Sequence, residues 1–256
     1  MTQDLTPLDT ARLALQCLDL TSLNDGDTDA DIEKLCRRAQ SAYGHVAAVC
    51  VWPRFVALAR RLLPSDIRVA AVANFPDGAL DLERALADVR SIVAARGNEV
   101  DVVLPYGALM RGLSGECAEF LEEVRRASRP LTLKVIIESG ELARPELIAK
   151  ATRLALAAGA DFVKTSTGKT KISATPDAAA VMLGEIAASG LSGAGFKASG
   201  GIRSVPDAKI YLTLAFYKLG REALNPRRFR FGASGLLDDI EAVLGGQVSS
   251  AASSAY

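Results

Sequence analysis

The 256 residues include a single histidine, His45. One imidazole supports neither a histidine-based triad nor a multi-histidine metal site, so His45 reads as a structural residue opening a strand. Cysteine is also sparse. Cys17, Cys36, Cys50 and Cys117 are scattered through apparent helices and strands, with no CxxC pair and no disulfide framework. A reducing cytoplasmic setting is expected. Neither sign of charge is in excess, with 30 basic residues against 30 acidic. That excludes a broad field for nucleic acid or an anionic membrane, so an anionic substrate has to be held by a local site. No apolar run is long enough to span a bilayer, and the polar, acidic start MTQDLTPLDT is unlike a signal peptide. Aromatics make up 5% of the chain and hydrophobic residues 49%, which leaves a core of Val, Ile, Leu and Ala.

What is present is an alternation. Short apolar runs begin at Cys17 (CLDLTSL), His45 (HVAAVCVW), Ile67 (IRVAAVANF), Glu99 (EVDVVLP), Leu131 (LTLKVIIE), Asp161 (DFVKTS), Gly195 (GFKASG) and Phe229 (FRFGAS). Several are apolar on both faces, as buried parallel strands are. Between them lie helical patterns. Leu82, Ala85, Leu86, Val89, Ile92 and Val93 share one face at helical spacing, with Gly97 expected as the C-cap. PELIAKATRLALAAG starts on Pro145 and stops at Gly159, while Thr175-Pro176 and Ser204-Val205-Pro206 carry the grammar of a capped helix start. Strand then helix, about eight times over, predicts a (β/α)8 TIM barrel. A doubly wound sheet also alternates, but no GxGxxG follows the first strand and no linker divides the chain. The expected organisation is a barrel domain over residues 1–246 and a flexible tail over 247–256.

Barrel enzymes work at the C-terminal ends of their strands, and polar residues interrupt these strands. Asp19 lies in the first predicted strand, Asp101 in the fourth, Lys134 in the fifth, Lys164 in the sixth and Lys197 in the seventh. A single buried lysine is commonly a packed stem with its head at the surface. Two on neighbouring strands are different, because desolvation and like charge both disfavour the ammonium form, and a neutral amine attacks carbonyls. Asp19 and Asp101 read either as chemical groups or as plain lysine partners. Glycines follow the last three predicted strands, in TSTGK, SGGIR and GASGLL. With Ser234 opening a helix, they offer backbone N–H groups to an anion. Gly168, Gly200, Gly201, Ser234 and Gly235 are the expected phosphate seat. The aspartates Asp25, Asp27, Asp29 and Asp31 lack the glutamate of a calcium loop. A helix start capped by Thr28 or Asp29 accounts for them.

Taken in order, LDLTSLNDGDTD, VCVWPRF, VANFPDG, EVDVVLPYGALMRG, LKVIIESGEL, GADFVKTSTGK, GFKASGGIR, RFGASGLL and a terminal tyrosine make the chain resemble the deoxyribose-phosphate aldolases, which are class I aldolases. The resemblance runs almost end to end. It implies reversible cleavage of 2-deoxy-D-ribose 5-phosphate to acetaldehyde and D-glyceraldehyde 3-phosphate, with no metal and no cofactor. Lys164 matches the family's Schiff-base lysine and Lys197 its second lysine, which perturbs the first. Asp101 matches the acid/base aspartate and Asp19 a residue near the sugar hydroxyls. Tyr256, at the end of the tail, is expected to assist proton transfer. Two departures stand out. Ala198-Ser199 replaces the family's frequent Pro-Ala, and Ser234-Gly235 replaces a serine pair, which implies a weaker grip on phosphate. The expected partner is a small phosphorylated sugar, with no nucleic acid and no membrane, and the expected assembly is a homo-oligomer, taken as a dimer. Two other readings are another Schiff-base barrel aldolase or transaldolase, and a sugar-phosphate-binding barrel without catalysis.

Overall fold

The computed structural model describes residues 5–249. Among the described residues there are ten strands: β1 (Leu18–Thr21), β2 (Gln40–Ser41), β3 (Gly44–His45), β4 (Ala48–Val51), β5 (Arg68–Ala73), β6 (Glu99–Val103), β7 (Thr132–Ile136), β8 (Phe162–Lys164), β9 (Gly195–Ser199) and β10 (Phe229–Ala233). Eight of them close a parallel barrel in the order β1-β10-β9-β8-β7-β6-β5-β4. The predicted TIM barrel is therefore the fold, and a doubly wound sheet is ruled out by closure.

The eight barrel strands correspond to the eight apolar runs, with one correction. His45 does not open a barrel strand. It ends β3, which pairs antiparallel with β2 in a small exposed hairpin outside the barrel. The barrel strand starts at Ala48, where every residue through Val51 is buried. His45 instead meets Asp66, with Nδ1 2.8 Å from Oδ2.

The helices follow the capping grammar. Thr175 accepts a hydrogen bond from the Ala178 N–H at the head of helix Pro176–Ala188. Ser204 and Asp207 form a reciprocal capping box before helix Val205–Leu219, and Thr28 and Asp31 do the same before Asp29–Arg38. Asp31 is thereby committed to a cap and Asp27 to Ser22 and Asn24. Helix Leu82–Ala94 ends differently from expectation. The left-handed residue after it is Arg96, at φ 62°, and not Gly97. The apolar faces of these helices pack on the outward side chains of the barrel, Val100, Val102, Leu133, Val135 and Val163 among them. The alternate, inward positions hold the charged residues together with a small apolar group of Cys50, Ala70 and Val72. The last helix among the described residues is Leu236–Leu244. Most of the expected tail, residues 250–256 with Tyr256, lies outside the described residues.

Candidate active site

Strand register decides which polar side chains meet. Asp101 of β6 is opposite Lys134 of β7, and Lys164 of β8 is opposite Lys197 of β9. All point inward at mid-barrel, so β6 to β9 bring four charged groups together although 96 residues separate Asp101 from Lys197. Asp101 is the hub. Its Oδ2 accepts from Lys164 Nζ at 2.9 Å and from Lys197 Nζ at 2.8 Å, and its Oδ1 accepts from Lys134 Nζ at 2.7 Å. Asp19 of β1 accepts from Lys197 at 2.5 Å and from Arg230 of β10 at 2.5 Å. Glu99, two residues before Asp101 on the same inward face, takes Lys134 at 2.5 Å and Arg230 at 3.0 Å.

The cluster thus joins three carboxylates (Asp19, Glu99, Asp101) to four cationic side chains (Lys134, Lys164, Lys197, Arg230). Sequence reasoning singled out Lys134 only as an interruption and missed Glu99 and Arg230. Both sit near the starts of their strands, where a charged residue reads as a strand boundary.

Electrostatics follow from this geometry. Burial pushes the Asp101 carboxyl up, but Lys134, Lys164 and Lys197 outweigh it and hold the group well below the usual carboxylate range. Asp19 is treated the same way by Lys197, Arg230 and Lys134. Burial works against the charged form of Lys197 too, yet Asp101 and Asp19 raise it above an ordinary lysine. This corrects the picture of two crowded ammonium groups. A carboxylate oxygen stands between Lys164 and Lys197, and Lys197 is held charged. Lys164 differs from the other two amines in two respects. It has one carboxylate partner, where Lys197 has two and Lys134 three. It is also the last residue of its strand, and its side chain is 2% exposed while those of Lys134 and Lys197 are fully covered. Cys50 lies nearby, its Sγ 4.0 Å from Asp101 Oδ2, and burial and that carboxylate push its thiol up.

A cleft of about 540 Å³ opens at the C-terminal ends of β1, β8, β9 and β10. All five expected seat residues, Gly168, Gly200, Gly201, Ser234 and Gly235, line it. The backbone there needs glycine. Gly200 and Gly201 lie at φ 86° and 81°, and a Cβ on Gly200 would stand 2.5 Å from Ser173. Helix Leu236–Leu244 starts at Gly235, which lines the cleft, with no side-chain cap, so the positive end of its dipole lies at the cleft's edge. Lys169 and Arg203 also line it. Sequence reasoning quoted both within TSTGK and SGGIR but took only the glycines. The signal was a cation beside each glycine turn. Gly232 links cleft and cluster, since a Cβ there would lie 2.7 Å from Ser199 Oγ and 3.0 Å from Lys197 Cε. A larger groove of about 860 Å³ runs between the first helix, Pro7–Gln16, and Val205–Leu219. No barrel-strand residue lines it, whereas Thr21, Ser199 and Gly232 of the strands line the smaller cleft, which is therefore the candidate site.

Residues 13–236 match the model of the DeoC/LacD family aldolases. The chain belongs to that family. A deoxyribose-phosphate aldolase of Agrobacterium fabrum is 45% identical over 260 residues, covering both chains completely. Among solved structures, a Toxoplasma gondii protein with a provisional deoxyribose-phosphate aldolase assignment superposes with a TM-score of 0.85 at 23% identity, over 97% of this chain and 99% of that one. The tetrameric deoxyribose phosphate aldolase of Aeropyrum pernix gives a TM-score of 0.71 at 24% identity, over 95% and 98%. These two structures speak for the barrel, and the family match with the Agrobacterium relative speaks for an aldolase. No helix among the described residues is long and apolar enough to cross a membrane.

Proposed function

We propose that the chain reversibly cleaves 2-deoxy-D-ribose 5-phosphate to acetaldehyde and D-glyceraldehyde 3-phosphate through a Schiff base on Lys164. One observation carries this reading. A lysine that ends its strand sits in a cluster with one buried cation more than it has carboxylates, next to a cleft lined by glycine turns, Lys169 and Arg203. Lys164 has the fewest carboxylate contacts of the three clustered lysines.

In the proposed mechanism the Lys164 amine adds to C1 of the open-chain aldehyde and water leaves, giving an iminium. The C3 hydroxyl proton is removed, C3 becomes the carbonyl of glyceraldehyde phosphate, and the bond electrons move into the iminium to form an enamine. The two-carbon product carries C1 and C2, so the bond that breaks is C2–C3. Protonation at C2 and hydrolysis then release acetaldehyde and restore Lys164. Asp101, acting through water, is the proposed base. Three ammonium groups make it a weak one alone, and Lys197, held protonated on the same oxygen, is its acid partner. We assign the two as a unit that moves one proton. Asp19 fixes Lys197 from the other side and stands near the sugar hydroxyls.

The deciding assay is retro-aldol cleavage of deoxyribose 5-phosphate against a panel of ketose phosphates. Glyceraldehyde 3-phosphate released from the deoxy sugar alone is the expected result. Cleavage of a ketose phosphate instead assigns another Schiff-base aldolase or a transaldolase. Binding without turnover assigns a sugar-phosphate-binding barrel. The expected homodimer is tested separately by sedimentation.

Gly168, Gly200, Gly201, Ser234 and Gly235 are proposed to seat the phosphate, together with Lys169 and Arg203. Gly235 lies at φ −94°, with nothing within 4 Å of an added Cβ, so serine fits there without strain. Gly235→Ser should tighten binding of deoxyribose 5-phosphate by about 1 kcal/mol, one hydrogen bond, and leave unphosphorylated deoxyribose unaffected. Equal Michaelis constants in variant and parent would remove Gly235 from the seat.

Tyr256 is proposed to assist protonation at the enamine carbon. Tyr256→Phe should slow both turnover and solvent exchange of the acetaldehyde methyl protons, while imine formation on Lys164 persists. Full turnover with full exchange in that variant returns Tyr256 to a plain terminal residue.

A further inference from the structure

The LKVIIESGEL segment contributes Lys134 to the cluster, but the first of its two glutamates, Glu138, has no part in the chemistry above. Glu138 lies two residues beyond β7, is fully buried, and takes a left-handed backbone at φ 52°. Such a conformation is uncommon for a residue with a long side chain, and burial without a cation bonded to it is costly. Burial indeed pushes the Glu138 carboxyl above its ordinary value, against its hydrogen bonds from Thr167 and Thr170.

Those bonds all go to one place. Glu138 Oε2 accepts the Thr167 N–H at 3.1 Å and the Thr167 hydroxyl at 2.5 Å, and Oε1 accepts the Thr170 hydroxyl at 3.3 Å. Thr167 Oγ1 in turn accepts the Lys169 N–H at 3.0 Å. The carboxylate therefore brackets Gly168 and Lys169, the two residues of this loop that follow Thr167 into the cleft. The two loops are laced at the backbone as well. Ile137 N–H donates to the Lys164 carbonyl at 3.0 Å, and Ser139 N–H to that of Thr165 at 2.8 Å. Gly140 permits this approach, because a Cβ there would come within 2.0 Å of the Ile172 carbonyl oxygen. The serines add no side-chain tie. The hydroxyls of Ser139 and Ser166 are buried with no hydrogen-bond partner among the described residues.

We propose that Glu138 is a positioning residue for the phosphate seat, its carboxylate holding the Thr167–Lys169 turn so that Gly168 and Lys169 meet the substrate phosphate. The inference rests on the sugar-phosphate aldolase reading. Glu138 bonds to none of the clustered amines, and Lys164 reaches it only through its charge, so its loss should appear chiefly in phosphate affinity.

The test compares the parent enzyme with Glu138→Ala, Glu138→Gln and Thr170→Val. Glu138→Ala should raise the KM for deoxyribose 5-phosphate about tenfold or more, the range of a lost charge-assisted hydrogen bond. Its kcat/KM for unphosphorylated deoxyribose should stay within about twofold of the parent. Glu138→Gln keeps an acceptor for Thr167 and should recover most of the affinity. Thr170→Val leaves the buried carboxylate intact, so it reports even where Glu138→Ala does not fold. It should shift KM in the same direction and less. Calorimetric affinity for inorganic phosphate should fall in the same order, and this readout stands apart from turnover. A parent enzyme that binds phosphate but cleaves no deoxyribose phosphate overturns the functional reading and leaves the Glu138 comparison decided by calorimetry. Equal losses on both sugars, or phosphate affinity unchanged across the variants, overturns the role of Glu138.

Discussion

Lys164→Leu should bring retro-aldol turnover to background while leaving the protein folded and no less stable than the parent. The two halves of this expectation have one cause. Lys164 is the member of the cluster with one carboxylate partner, and it ends its strand. Its removal takes away the proposed nucleophile. It also leaves three buried cations facing three carboxylates, which relieves repulsion in a site where water screens little. Leucine fills the vacated volume in an apolar strand, between Val163 and Thr165, both buried. Activity lost with stability kept marks a group retained for chemistry at some expense to the fold. An unfolding midpoint well below that of the parent would show that Lys164 is a structural partner of Asp101. Residual turnover near the parent rate would move the nucleophile elsewhere.

Asp101→Asn should fail in the opposite pattern, losing both activity and stability. The change keeps the shape of the side chain but leaves Lys134, Lys164 and Lys197 around a neutral amide. Breaking a buried ionic pair by removing one partner costs about 3–5 kcal/mol, and loss of a placed acid–base group costs roughly a hundredfold to ten-thousandfold in rate. The pH dependence has a definite sign. Asp101 and Asp19 titrate below the usual carboxylate range in the folded protein. Their contribution is therefore present above the ordinary carboxylate pKa and lost as pH falls through the depressed folded values. Lys134 and Lys197 titrate above an ordinary lysine, so theirs is present below the ordinary lysine pKa and lost as pH rises through the raised values. Urea unfolding should show the full gap between parent and Asp101→Asn across neutral pH, narrowing only in acid below the ordinary carboxylate range. A gap that closes already between pH 7 and pH 5 would mean that Asp101 is not held by the lysines.

The barrel was legible because its strands are buried on both faces and its helices carry their caps in the sequence. Val100, Val102, Leu133 and Val135 face the helices, and the charged residues between them stand out against that background. Thr175, Ser204 and Thr28 announced helix starts through local hydrogen bonds that need no tertiary information. The candidate site was legible where charged residues interrupt apolar strands, at Asp19, Asp101, Lys134, Lys164 and Lys197. It was not legible where meaning comes from partners far along the chain. Arg230 reaches Asp19 across 211 positions and Glu99 across 131. Each looks like an ordinary strand boundary until barrel closure turns it inward. Glu138 was hidden for a similar reason, since its partners lie in the next loop, about 29 positions away. His45 was misplaced because a two-residue hairpin has too few residues to show a period.

The most direct test of the proposed chemistry is to reduce the parent enzyme with borohydride in the presence of acetaldehyde and map the modified peptide by mass spectrometry. The expected result is a single ethyl group on Lys164, absent in Lys164→Leu and retained in Tyr256→Phe. An ethyl group on Lys197 or Lys134, or no covalent adduct while the enzyme turns over, contradicts it.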